Sequence, residues 1–189
     1  MEIYTNILSS ARKQFLYYKT LGDKAISQLE EDQLFVIPSE ESNSIAMIVK
    51  HLWGNMLSRW TEIFTTDGEK EWRNRDAEFE NDLATAADVI SKWEEGWKCL
   101  LDTLDQVEPQ QLEQIIYIRN EGHTLLEAIN RQLAHYPYHV GQIVYIAKML
   151  KTSEWNSLSI PRQSSATYNQ NKFKQEKGIR HFTDSELER

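Results

Sequence analysis

"ILSSARKQFLYYKTLGDKAISQL", residues 7–29, sets Ile7, Ala11, Phe15, Tyr18, Gly22, Ala25 and Leu29 at successive spacings of three and four. That period draws one apolar stripe along an α-helix, and it predicts a first helix over about residues 2–30. A single apolar stripe must be buried against other elements. The chain supplies three more helices to do so. In "PSEESNSIAMIVKHLWGNMLSRWTEIF" (38–64), Pro38 and the polar residues after it break the chain, and Asn43 or Ser44 is placed to cap a second helix carrying His51 near its middle. Ala86, Ile90, Trp93, Trp97, Leu100, Leu104 and Val107 again step by three and four, predicting a third helix over about 85–107. "QIIYIRNEGHT" (114–124) holds a short β-branched run closed by Gly122 and reads as a strand or an extended crossover. Thr124 with Glu127 three residues on has the capping-box pattern, and the fourth helix runs from there to about Leu150.

The fold class expected is therefore all-α: a four-helix bundle over residues 1–150, with a short extended segment before its last helix. Residues 151–189 form an irregular C-terminal tail whose last half has the composition of a disordered segment. This extension is expected to pack on the bundle or on a partner subunit.

The chain of 189 residues is long enough to bury a core without help from disulfides or metal. Its six Trp and eight Tyr favour bulky, pocket-forming packing. The 29 acidic residues outnumber the 21 basic ones, for a net charge of −8. That field disfavours nucleic acid. Cys99 is the sole cysteine, which excludes an internal disulfide and fits a reducing compartment. The N-terminus lacks the apolar core of a signal peptide, and no stretch approaches the roughly 18–20 apolar residues of a membrane span. A cytoplasmic protein binding neither membrane nor nucleic acid is expected. Cys99 has no histidine or basic cluster nearby in sequence, so a half-buried structural thiol is the favoured reading over a nucleophile.

Residues 66–84, "TDGEKEWRNRDAEFENDLA", have no clean period, and a connection of that length in a compact domain is more often functional or disordered than idle. Trp72, Arg73 and Arg75 mark it as a candidate lid or rim. The competing reading is a structural crossover that packs Trp72 into the bundle.

"AHYPYHVGQ" (134–142) puts His135 and His139 four positions apart, on one helix face and one turn from each other. Both imidazoles can then reach one cation. A zinc protease would carry Glu directly after the first His, and Tyr136 stands there instead. Pro137 removes a backbone donor and is expected to kink the turn. A third ligand must come from a facing helix, and His51 is the candidate, although a lone helical His is more often a hydrogen-bonded core residue. His123 and His181 read as non-ligands.

The blocks "KHLWGNMLSRWTEIFTTDGEKEWRNRDAEFE" (50–80) and "EAINRQLAHYPYHVGQIVYIAK" (127–148) resemble the DinB/YfiT-like family, in a functionally uncharacterised branch, over roughly residues 1–165. The resemblance implies a four-helix bundle, commonly dimeric, whose metal is held by one His of the second helix and a His-x-x-x-His pair of the last. Those positions are His51, His135 and His139. It also implies a divalent metal ion, zinc or nickel in first place. The activity implied is attachment of a low-molecular-weight thiol to a small electrophile, or a hydrolysis. Around that site, Asn55 and Arg59 lie four and eight residues beyond His51, and Arg131 and Gln142 flank the pair at −4 and +3, as candidate pocket or outer-sphere groups. The alternative is a non-catalytic dimeric bundle in which metal only braces the second and fourth helices.

Overall fold

The stripe on residues 7–29 folds into α1 (Glu2–Ile26) in the computed structural model, which describes residues 2–187. Ala11, Phe15, Gly22 and Ala25 are its buried face. The helix stops four residues short of the expected end because Gln28 and Leu29 bond back only three residues, to the carbonyls of Ala25 and Ile26. This tightened turn ends the α-helical ladder, and Leu29 packs on the core from the turn instead.

Of the two candidate caps, Ser44 is the one used: its Oγ accepts from Met47 N–H at 3.2 Å, opening α2 (Ile45–Trp60). α2 has little free surface. It packs against α3 (Ala86–Gln106), α4 (Leu125–Lys151) and the 3-10 turns 31–35 and 76–79. Its polar residues Lys50, His51, Asn55, Ser58 and Arg59 are consequently buried with the apolar ones. The expected capping box of Thr124 with Glu127 opens α4 in reciprocal form, and a second one, Thr85 with Asp88, opens α3. α4 stays helical through Pro137.

Each of the four long helices meets two others: α1 lies on α3 and α4, and α2 on α3 and α4. At their centre Phe15, Trp97 and Tyr136 are fully buried, with the Tyr136 ring 5.8 Å from that of Phe15 and 5.9 Å from that of Trp97. The α2 and α3 backbones approach closely at Gly96, where a Cβ would sit 3.1 Å from Trp53 Cα. A polar thread crosses this core. Trp60 Nε1 donates to the Tyr136 hydroxyl at 2.9 Å, which donates in turn to Asn55 Oδ1 at 3.1 Å.

The extended segment is a hairpin rather than a single strand. β1 (Ile115–Ile118) pairs antiparallel with β2 (Glu121–Thr124), Ile115 opposite Thr124 and Ile118 opposite Glu121. Glu, Gly and His are poor strand formers, so β2 owes its conformation to pairing, which residue preference does not reveal. The turn residues Arg119 and Asn120 have φ of 56° and 61°, as a two-residue hairpin turn of the right twist requires. Asp67 holds that turn by accepting both backbone N–H groups at 2.8 Å.

The tail is less irregular than its composition suggests, with helices α5 (Ser165–Phe173) and α6 (Asp184–Leu187). Its end lies on α1, through Lys13 to Asp184 at 2.6 Å and Ser10 Oγ to His181 Nε2 at 3.0 Å. Among the described residues no helix is long and apolar enough to cross a membrane.

Candidate metal centre

Four residues advance a helix by little more than one turn, so α4 presents His135 and His139 side by side, toward α2 and His51. His135 Nε2 is 3.1 Å from His139 Nε2 and 3.4 Å from His51 Nε2. The three ligand nitrogens all lie within 4.8 Å of one another.

Every imidazole is anchored through its other nitrogen. His51 Nδ1 meets Glu78 Oε2 at 2.9 Å, His135 Nδ1 meets Gln132 Oε1 at 3.1 Å, and His139 Nδ1 meets Gln142 Oε1 at 2.7 Å. A carboxylate or amide oxygen only accepts, so this arrangement places the proton of a neutral ring on Nδ1 and its lone pair on Nε2. Three lone pairs then point at one another across a gap that none of them can bridge. A cation between them resolves the conflict, and the two shorter spacings are close to the about 3.3–3.4 Å edge of a tetrahedral site with metal–nitrogen bonds of about 2.0–2.1 Å. The residues therefore fit a divalent transition metal such as zinc or nickel.

Burial pushes the His135 imidazolium down to about 3, helped by the charges of His139 and His51. Burial likewise brings His139 down to about 4, against the opposing effect of its hydrogen bond to the Gln142 oxygen. Both rings are thus neutral, as ligation demands.

Glu78 is the centre of the support. Burial alone would raise its carboxyl, but hydrogen bonds from His51 and Arg73 outweigh this and hold it below the usual carboxylate range. Arg73 grips it bidentately, at 2.7 and 3.0 Å, and the two side chains are only 2% and 5% exposed. Phe79, next in the chain, stacks on the His51 ring at 5.2 Å and carries Arg75 over its outer side at 5.4 Å.

The histidines face a cavity of about 590 Å³. Asn55, Arg59, Arg75 and Arg131 line it, while Gln142 bonds His139. Arg59 is turned mainly into protein, donating to the Gly68 carbonyl and to Glu69. On the His135 side the oxygen partner is Gln132, while Arg131 sits exposed on the cavity wall. Trp72 is 57% exposed and is not packed into the helices, whereas Arg73 beside it is buried against Glu78. His123 and His181 do not join the cluster, and Cys99 is half-buried with its thiol pushed up by burial. Sequence reasoning missed Glu78, Gln132, Phe79 and Arg119. Gln132 alone had a local signal, since it lies three residues before His135 on the same helix face.

The sequence profile of a family described as "Protein of unknown function (DUF1572)" matches residues 2–164. The chain belongs to this family. No curated protein matches it. The DUF1572 match runs through all three histidines and through Glu78, Gln132 and Gln142, so both the nitrogen ligands and their oxygen partners fall within the family region.

One glycine of this DUF1572 chain is set by the site. A Cβ on Gly54 would overlap the Glu78 carboxylate. Gly→Ala inside a helix ordinarily gains up to about 1 kcal/mol, but Gly54→Ala is expected to displace Glu78 and weaken metal binding by about 10–100-fold. Competition with a chelating dye measures this. Unchanged affinity would remove Glu78 from the support of His51.

Proposed function

We propose that the four long helices form a DinB-like bundle and that the protein is a metal-dependent enzyme acting on a small electrophile. His51, His135 and His139 would hold one divalent ion, with zinc or nickel preferred. When bound, such an ion supplies Lewis acidity that brings a thiol or a water toward its anion near neutral pH, for attack on carbon. The chain's own residues do the rest. Glu78, Gln132 and Gln142 hold the Nδ1 protons and so keep the three Nε2 lone pairs directed inward. Asn55, its oxygen engaged by Tyr136, has its amide N–H₂ left for a group in the cavity. Three nitrogen ligands beside a cavity favour an open, catalytic site over a closed bracing one. The carrying observation is this convergence of lone pairs at the cavity's edge.

The test is metal content by elemental mass spectrometry on untagged protein purified without chelator. Wild type should carry close to one ion per chain and His135→Ala close to none. A wild type that stays empty after incubation with zinc, nickel, iron and manganese salts sinks the reading. Chelation separates catalysis from bracing. A large fall in melting temperature on chelation marks a structural ion, because its binding energy is then folding energy. A small change, with metal-dependent consumption of a thiol by an electrophile, marks the enzyme.

A further inference from the structure

Arg59, Arg73, Arg75, Arg119 and Arg131 all line the cavity beside the histidines. The chain has nine arginines and 12 lysines in total. More than half of the former and none of the latter are therefore on this one wall, in a protein whose net charge is −8. A generic basic surface would mix the two. Guanidinium alone offers a planar fork of donors that meets carboxylate or phosphate oxygens in pairs.

The local carboxylates do not neutralise this ring. Glu78 is taken by Arg73, and Glu69 is shared between Arg59, Arg73 and Arg119 at 3.1, 3.5 and 3.1 Å. Asp67, held ionised by backbone N–H groups and the charge of Arg59, adds a third carboxylate, so five positive charges against three negative ones leave two in excess. Arg131 has no ion-pair partner among the described residues, and Arg75 rests only on the Phe79 ring. Arg59, itself 6% exposed, has a buried Nε that finds no acceptor. Positive charge focused in a concave, partly dry site concentrates anions there.

We infer that this cavity is an anion site selecting small molecules with two negative charges, a dicarboxylate or a phosphate monoester, held by Arg75, Arg119 and Arg131 beside the histidines. The inference adds a substrate class to the reading above but rests on the arginines, so it is tested without metal.

Calorimetric titration of chelator-treated protein with succinate, phenyl phosphate, and the neutral succinamide as reference separates the outcomes. At least one dianion should bind about tenfold or more tighter than succinamide, and which one does so identifies the oxyanion. Arg131→Gln and Arg75→Gln, both outside the buried ion pairs, should each weaken that binding about tenfold, the size of one charge-assisted hydrogen bond. Lys98→Gln, an exposed charge away from the cavity, should leave it unchanged. Dianions that bind no tighter than succinamide overturn the inference, as does binding that survives both arginine substitutions. Either failure leaves the metal measurement standing, and an empty metal site leaves this titration standing.

Discussion

Arg73→Met is expected to lower the free energy of unfolding by about 3–5 kcal/mol at neutral pH, the usual cost of stripping one partner from a buried ion pair. The reason is Glu78. Its side chain is 5% exposed, and Arg73 provides two of the hydrogen bonds that keep it ionised there. Methionine fills much of the arginine stem's volume, so packing is nearly kept while the charge is lost. Glu78 must then take up a proton or draw in water, and its hold on His51 Nδ1 is altered in either case. The depressed carboxyl of Glu78 contributes stability above its unfolded value that is lost as pH falls through the folded one. Arg73→Met should therefore flatten the acid limb of stability as well as lower its plateau. Urea unfolding of chelator-treated protein measures both. The double variant Arg73→Met with Glu78→Gln should recover a large part of the loss, since no buried charge is then left alone. A single-variant loss below about 1 kcal/mol is the range of an exposed pair, and it would show that water already reaches Glu78.

The path from sequence to this site is uneven for a physical reason. Periodicity reports which side of a helix is apolar and made α1 and α3 readable, whereas α2, buried nearly all round, and α4 were read from the breaks and caps at their starts. The i,i+4 spacing of His135 and His139 is a property of one helix, so their proximity follows from the ladder alone. His51 needed the facing of two helices, which spacing does not encode, and the resemblance to a known family supplied it. Glu78 was out of reach. It lies 27 residues beyond His51 in a segment without period, and a 3-10 turn packed on α2 delivers it. The same segment left Trp72 open between a rim and a residue packed into the helices, and it is the arginine beside it that is buried, through a pairing with Glu78 that composition does not reveal. The hairpin partner β2 was missed likewise, since its pairing with β1 and the anchoring of its turn by Asp67 are long-range effects.

In metal-free protein, stability should fall as pH drops from about 6.5 toward 4, and this fall should be largely absent when His135 and His139 are both changed to Gln. The sign follows from which state binds protons. In the unfolded chain both imidazoles titrate near 6.5, whereas in the fold burial holds them neutral down to about 3 and about 4. Above 6.5 neither state is protonated and the histidines contribute no pH dependence. Below it the unfolded chain gains protons that the fold refuses, so unfolding is favoured progressively through that window. Each unit of difference is worth about 1.4 kcal/mol. Both rings keep part of their surface in water, so a screened total on the order of 2–3 kcal/mol across the window is expected for the pair. Carboxylates add their own acid limb below about 4.5, and subtracting the variant's curve from that of wild type isolates the imidazole part. A bound divalent ion should raise the wild-type curve by a nearly constant amount across this window, because the fold already keeps both rings neutral there, and that gain is lost only as the rings protonate near and below about 4. Superimposable curves for wild type and variant would mean that water solvates the imidazolium forms in the fold, and the cavity would then be wetter around His135 and His139 than their burial indicates.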